Sequence, residues 1–91
     1  MPDLMSPERA EILALEALAW LAADEDGIGR FLAASGVDAA DLRAAAGSPG
    51  LAVAILNFLL SHEELLLGFC QSGGTSPGTL HRARHSLEPE A

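Results

Sequence analysis

The sequence predicts an all-α domain, a compact bundle of about six short helices arranged as two pseudo-symmetric three-helix halves. Three observations predict it. The apolar residues are mostly Leu and Ala, aromatics are confined to Trp20, Phe31, Phe58 and Phe69, and Tyr is absent. That palette packs helices closely and is poor in the β-branched and aromatic residues that favour sheets. The punctuation is helical throughout, with Ser-Pro or Asp starts and Gly stops. Finally, residues 13–46 can be laid on residues 51–84 at a constant offset of 38 without a gap. Leu13 falls on Leu51, Ala14 on Ala52, Leu18 on Leu56, Leu21 on Leu59, Glu25 on Glu63, Phe31 on Phe69, Gly36 on Gly74 and Leu42 on Leu80, while Trp20 meets Phe58. A repeat of this period marks helical units that bury their apolar faces only together.

Ser6-Pro7-Glu8 caps the first helix, with Pro at the first helical position and a carboxylate in the first turn. It is expected over residues 7–23. On a helical wheel Leu13, Ala14, Ala17, Leu18, Trp20 and Leu21 share one broad face, and Glu8, Arg9, Glu11 and Glu16 lie opposite. Ile12 and Leu15 fall near the polar side, so this helix is expected to be covered on more than one flank. Asp24-Glu25-Asp26 starts a second helix that runs to Ser35, with Gly36 as its left-handed stop. Gly27 and Gly29 weaken its first turns by about 1 kcal/mol each relative to Ala. Asp38 with Asp41 reads as a capping pair for a third helix over residues 39–46, ended by Gly47.

Ser48-Pro49 starts a fourth helix over residues 49–60. Ser61-His62-Glu63-Glu64 fits the Ser-x-x-Glu capping box and starts a fifth, ended by Gly73-Gly74. Ser76-Pro77 starts a sixth that runs to about Ser86. Residues 87–91 contain Pro89 and two glutamates and read as a frayed tail. The result is one domain over residues 1–91, with halves at about 7–47 and 48–86.

The fourth helix is apolar all round except for Asn57, and the fifth carries Leu65-Leu66-Leu67-Gly68-Phe69-Cys70. A helix without a polar face is either central or turned toward a partner. Central burial is the first expectation. The second is an interaction surface, with Phe58, Leu65 and Leu66 as its candidates and a homodimer through the fourth and fifth helices.

The formal charge is −8, from 13 carboxylates against five arginines, with lysine absent. An acidic field repels phosphate, which argues against nucleic acid and anionic membranes as partners. Cys70 is the only cysteine, so no intrachain disulfide forms, as suits a reducing cytoplasmic compartment. No basic segment precedes an apolar run at the N-terminus, so no signal peptide is expected. The longest apolar stretch, residues 51–60, is broken by Asn57 and is far short of the roughly 20 residues a membrane helix needs.

Residues 31–45 read as a helix-turn-helix, and the pattern recurs over residues 69–84. The second copy places His81, Arg82, Arg84 and His85 on its last helix, the only basic patch in the chain. Groove insertion would put Arg82 and Arg84 at base edges or phosphates. The plainer reading is a helix whose last-turn cations complement the C-terminal end of its dipole. The first copy favours that reading, because Asp38 and Asp41 would aim carboxylates at DNA.

His81 and His85 share a helix face, as two metal ligands can, but a zinc site needs a third ligand from Cys70, His62, Glu63 or Glu64. Neither Cys-x-x-Cys nor His-Glu-x-x-His is present, so no metal is expected. Cys70 with His62 would be a nucleophile and base only if they met, and eight residues along a helix separate them by about 12 Å. Glu63 and Glu64 read as helix-start carboxylates, not an acid/base pair. The glycines form no phosphate-binding motif. No catalytic residue, metal or cofactor is expected, and the protein reads as non-enzymatic. The leading expectation is a small protein-interaction module. The alternative is a helix-turn-helix regulator using the sixth helix.

One resemblance spans residues 6–84. The phrases Ala19-Trp20-Leu21-Ala22, Asp24-Glu25, Gly29-Arg30-Phe31-Leu32-Ala33, Ser35-Gly36, Leu42-Arg43, Leu56-Asn57-Phe58-Leu59-Leu60, Glu63-Glu64-Leu65-Leu66-Leu67 and Phe69 together resemble domain-of-unknown-function family 3572, small alphaproteobacterial proteins. The resemblance implies a small cytoplasmic bacterial protein and supplies no activity, cofactor or site residue.

Overall fold

A computed structural model describes residues 5–45 and 48–87. Six helices follow one another along them: α1 (Pro7–Ala22), α2 (Glu25–Ser35), α3 (Ala39–Ala45), α4 (Pro49–Leu60), α5 (Glu63–Gly73) and α6 (Pro77–Leu87). The described residues contain no strand. The all-α bundle is as the sequence predicts. Leu87, expected in the tail, belongs to α6, while Ala46, the proposed Gly47 stop and the rest of the expected tail, 88–91, lie outside the described residues.

The sequence signals act where they were expected. Ser6 Oγ accepts from the Arg9 amide at 3.2 Å, and Ser48 Oγ accepts from the Leu51 amide at the same distance. Asp38 Oδ1 accepts from the Asp41 amide at 2.8 Å, starting α3. Asp24 caps α2 through a bond from the Asp26 amide. Gly36 (φ 74°) and Gly74 (φ 66°) end α2 and α5 in the left-handed conformation that a side chain strains. Each orphan donor so satisfied contributes about 1 kcal/mol to its helix start.

One cap departs from the expectation. Ser61 does not open a capping box on α5. Only Ser61 and His62 separate α4 from α5, and the Ser61 amide closes α4 by donating to the Asn57 and Phe58 carbonyls at 3.0 and 3.2 Å. The N-cap position falls to His62, whose side chain makes no capping bond.

The hub is α4. It packs against α1, α2, α5 and α6, and α6 also packs along α1. Leu51, Ala52, Ile55, Leu56, Phe58 and Leu59 of α4 are buried, and Asn57 is exposed. The α1 face toward this hub is built from Ala10, Ala14 and Ala17, each 0–1 % exposed, with Leu21 below them. Small side chains there let the helix axes approach closely. Phe31 from α2, Phe69 and Cys70 from α5, and Leu80 and Ala83 from α6 complete the core. The chain bends by 108° between α4 and α5, so α5 lies across the bundle and does not continue α4. Among the described residues no single helix is long and apolar enough to cross a membrane.

The expected offset of 38 residues maps unevenly onto this packing. Leu21 and Leu59, Phe31 and Phe69, and Gly36 and Gly74 take matching roles. Their third members differ. Leu80 and Ala83 of α6 are fully buried, whereas of the described α3 side chains only the half-buried Leu42 reaches the core.

Close packing gives three expected outcomes in urea unfolding followed by the fluorescence of the single tryptophan. Leu59→Ala, at the centre of the hub, lowers stability by about 2–5 kcal/mol. Gly29→Ala, where an added Cβ meets nothing within 4 Å, raises it by about 0.5–1 kcal/mol. Gly68→Ala places its Cβ 3.1 Å from the Trp20 ring, so it gives no such gain and shifts the Trp20 emission.

Candidate functional site

Two surface features stand out once the helices are packed: a cleft between α2 and α4, and the outer flank of α1.

The cleft has a volume of about 260 Å³ and is lined by Phe31, Ala34, Ser35, Ala54, Asn57, Phe58, Ser61 and His62. Its back is a ladder of three rings. Phe31 meets Phe58 edge to face, centroids 5.3 Å apart, and Phe58 lies against the His62 imidazole at 4.3 Å. Such pairs add about 0.5–1.5 kcal/mol beyond the area they bury. His62 Nδ1 lies 2.7 Å from the Phe58 carbonyl oxygen. A carbonyl can only accept, so Nδ1 carries a proton, and in the neutral form of the ring Nε2 is the acceptor. Ser35 Oγ is engaged locally, accepting from the Val37 amide at 3.3 Å. Asn57 Oδ1 and Nδ2 have no hydrogen-bond partner among the described residues.

On α1, Ile12 is 55 % and Leu15 41 % exposed. With Ala19 and Ala22, also exposed, they form a stripe at helical spacing. Exposed Glu8 and Glu16 and half-buried Glu11 border it. Among the described residues, none supplies the second cover expected over Ile12 and Leu15. Ile12 and Glu16 also border a depression of about 380 Å³ shared with Arg9, Thr75 and Thr79.

The candidates named from sequence are dispersed. Phe58 and Leu66 are each 7 % exposed and belong to the core, and Leu65 is half-buried against it. The exposed apolar residue of α5 is Leu67. His81, Arg82 and His85 are exposed on α6 and Arg84 is half-buried, with Arg82 Nη2 donating to Thr79 Oγ1 at 3.2 Å. No group of three His, Cys, Asp or Glu among the described residues is placed to hold a metal ion. Cys70 is buried, and desolvation pushes its thiol pKa up, away from the reactive thiolate. The cleft was missed as a unit. Its signal was the pair of i,i+4 relationships Asn57–Ser61 and Phe58–His62, which set polar groups beside an aromatic at the end of an apolar helix.

A family model described as "Protein of unknown function (DUF3572)" matches residues 7–90. The chain belongs to that family. The matched span contains all six helices, every cleft residue and the whole α1 stripe. No curated protein and no solved structure matches the chain. The DUF3572 description names no activity, so the chemistry of this member rests on its own residues.

Burial of the thiol has a direct readout. Cys70 reacts with Ellman's reagent at least about 100-fold more slowly in the native protein than in the urea-unfolded chain at the same pH, because only locally opened molecules expose it.

Proposed function

We propose that this protein is a non-enzymatic protein-interaction module of the reducing cytoplasm, and that a partner protein docks on the outer face of α1. The observation that carries this reading is the exposure of Ile12 and Leu15, 55 % and 41 %, on a helix whose opposite face is already buried. Single exposed apolar residues are ordinary on any protein surface. Two large ones in line with two alanines, running about 15 Å along one helix, make a contact strip.

The charges around the strip select the partner. Glu8, Glu11 and Glu16 border it, and the whole chain carries −8. A second copy of the chain would set carboxylate against carboxylate. An amphipathic helix with apolar residues at i, i+3 and i+7 and Arg or Lys on its flanks would match both the stripe and its border. The burial of Phe58 and Leu66 in the core supports α1 as the partner surface. The non-enzymatic reading is supported by the burial of Cys70, and the cytoplasmic reading by its being the only cysteine.

The helix-turn-helix alternative rests on His81, Arg82, Arg84 and His85 and has weaker support. Leu80 and Ala83 fasten α6 between α1 and α4, and the acidic field opposes phosphate.

Site-specific photocrosslinking tests the proposal. A benzophenone side chain at position 12 or 15, in cells that express the protein, yields a discrete protein adduct. The same group at exposed position 25 does not yield it, and Leu15→Asp removes the adduct formed from position 12. Absence of adducts, or equal adducts from position 25, overturns the reading.

A further inference from the structure

We propose that the α2/α4 cleft is a binding site for a small, neutral, planar aromatic molecule carrying one ring N–H or O–H donor. This site is separate from the α1 stripe and stands whether or not a protein docks there.

The size of the cleft sets the size of its ligand. At about 260 Å³ it falls just below the range of drug-sized pockets, so it suits one or two fused rings. Its composition sets the polarity. Phe31, Ala34, Ala54 and Phe58 supply an apolar floor, and among the described residues neither Asp, Glu, Arg nor Lys lines the cleft. An anion would find no cation to meet it, and a metal ion would find a single imidazole where it needs several ligands. A flat, uncharged ring is what remains, placed against the Phe58–His62 end of the ring ladder.

The hydrogen-bonding requirement comes from His62. Its Nδ1 proton is committed to the Phe58 carbonyl at 2.7 Å, so the neutral ring offers Nε2 as an acceptor. A ligand that brings a donor satisfies it; one that brings only acceptors or only carbon does not. The Asn57 amide, exposed at the rim and able to donate and accept, can take a second polar substituent.

Indole and 1-methylindole are suitable probes, being nearly the same shape and differing in the N–H. In ¹⁵N–¹H correlation spectra of the intact protein, indole moves the amides of Phe31, Ser35, Phe58 and His62 saturably. 1-Methylindole binds at least about tenfold more weakly, because it leaves the acceptor unpaired. His62→Phe keeps a ring against Phe58 but removes Nε2, and brings the two probes to within about threefold of each other. Ala54→Leu fills the floor and abolishes binding of both while the spectrum stays dispersed. If indole gives no saturable shifts in the wild-type protein, or if the wild type does not distinguish the two probes, the proposal is wrong.

Discussion

Helix α4 carries a single polar side chain, Asn57, in its 12 residues, and this governs the placement of nearly everything else. A helix apolar on every side has to be surrounded, and at 91 residues the chain has few elements with which to do it. The solution is to gather α1, α2, α5 and α6 round it. The close α1 approach is made with alanines, so that α4 and α6 can both lie against α1. The Asn57 side chain marks the narrow sector left open, and the cleft lies along that sector. The same constraint that builds the core therefore also locates the cavity.

The first three helices and the last three answer this constraint differently. Their first and second helices share buried Leu and Phe positions and left-handed glycine stops. The third helices diverge because only one further helix is needed to close the hub. α6, with Leu80 and Ala83 fully buried, fills that place, and α3, seven residues long, stays at the edge with Leu42 as its contact. His81, Arg82 and His85 are exposed and Arg84 half-buried on a helix that is needed for closure, and Arg84 and His85 lie in its last turn, which fits the dipole-compensating reading better than the groove-inserting one.

Much of the fold was legible because helix caps are local. Ser6, Ser48, Asp38, Gly36 and Gly74 act through bonds or backbone angles within a few residues, so the sequence states them directly. The failed capping box at Ser61 shows the limit. A two-residue connection makes one helix's end compete with the next helix's start, and nothing local decides which helix takes the serine. The site was legible only as anomalies. Ile12 and Leu15 stood out on the wrong side of a helical wheel, and that misfit became the α1 stripe. Asn57 stood out in an apolar run. The cleft itself depends on how α2 crosses α4 and on the orientation of the His62 ring, and both are tertiary facts. Apolar density along a sequence does not say which side faces inward, and Phe58 and Leu66 turn mostly into the core.

The Ser86 hydroxyl donates to the Met5 carbonyl at 2.7 Å, joining positions 81 residues apart. The path of the described residues through the bundle is therefore almost a closed ring, with Met5 and Ser86 side by side on the flank where α1 meets α6. A helical unit joined to a host at Met5 and Ser86 would therefore have its two junctions a few ångströms apart, leaving a host loop's own geometry nearly unstretched. The exposed Ile12 and Leu15 flank of α1 would then project from the host on a unit that brings its own core.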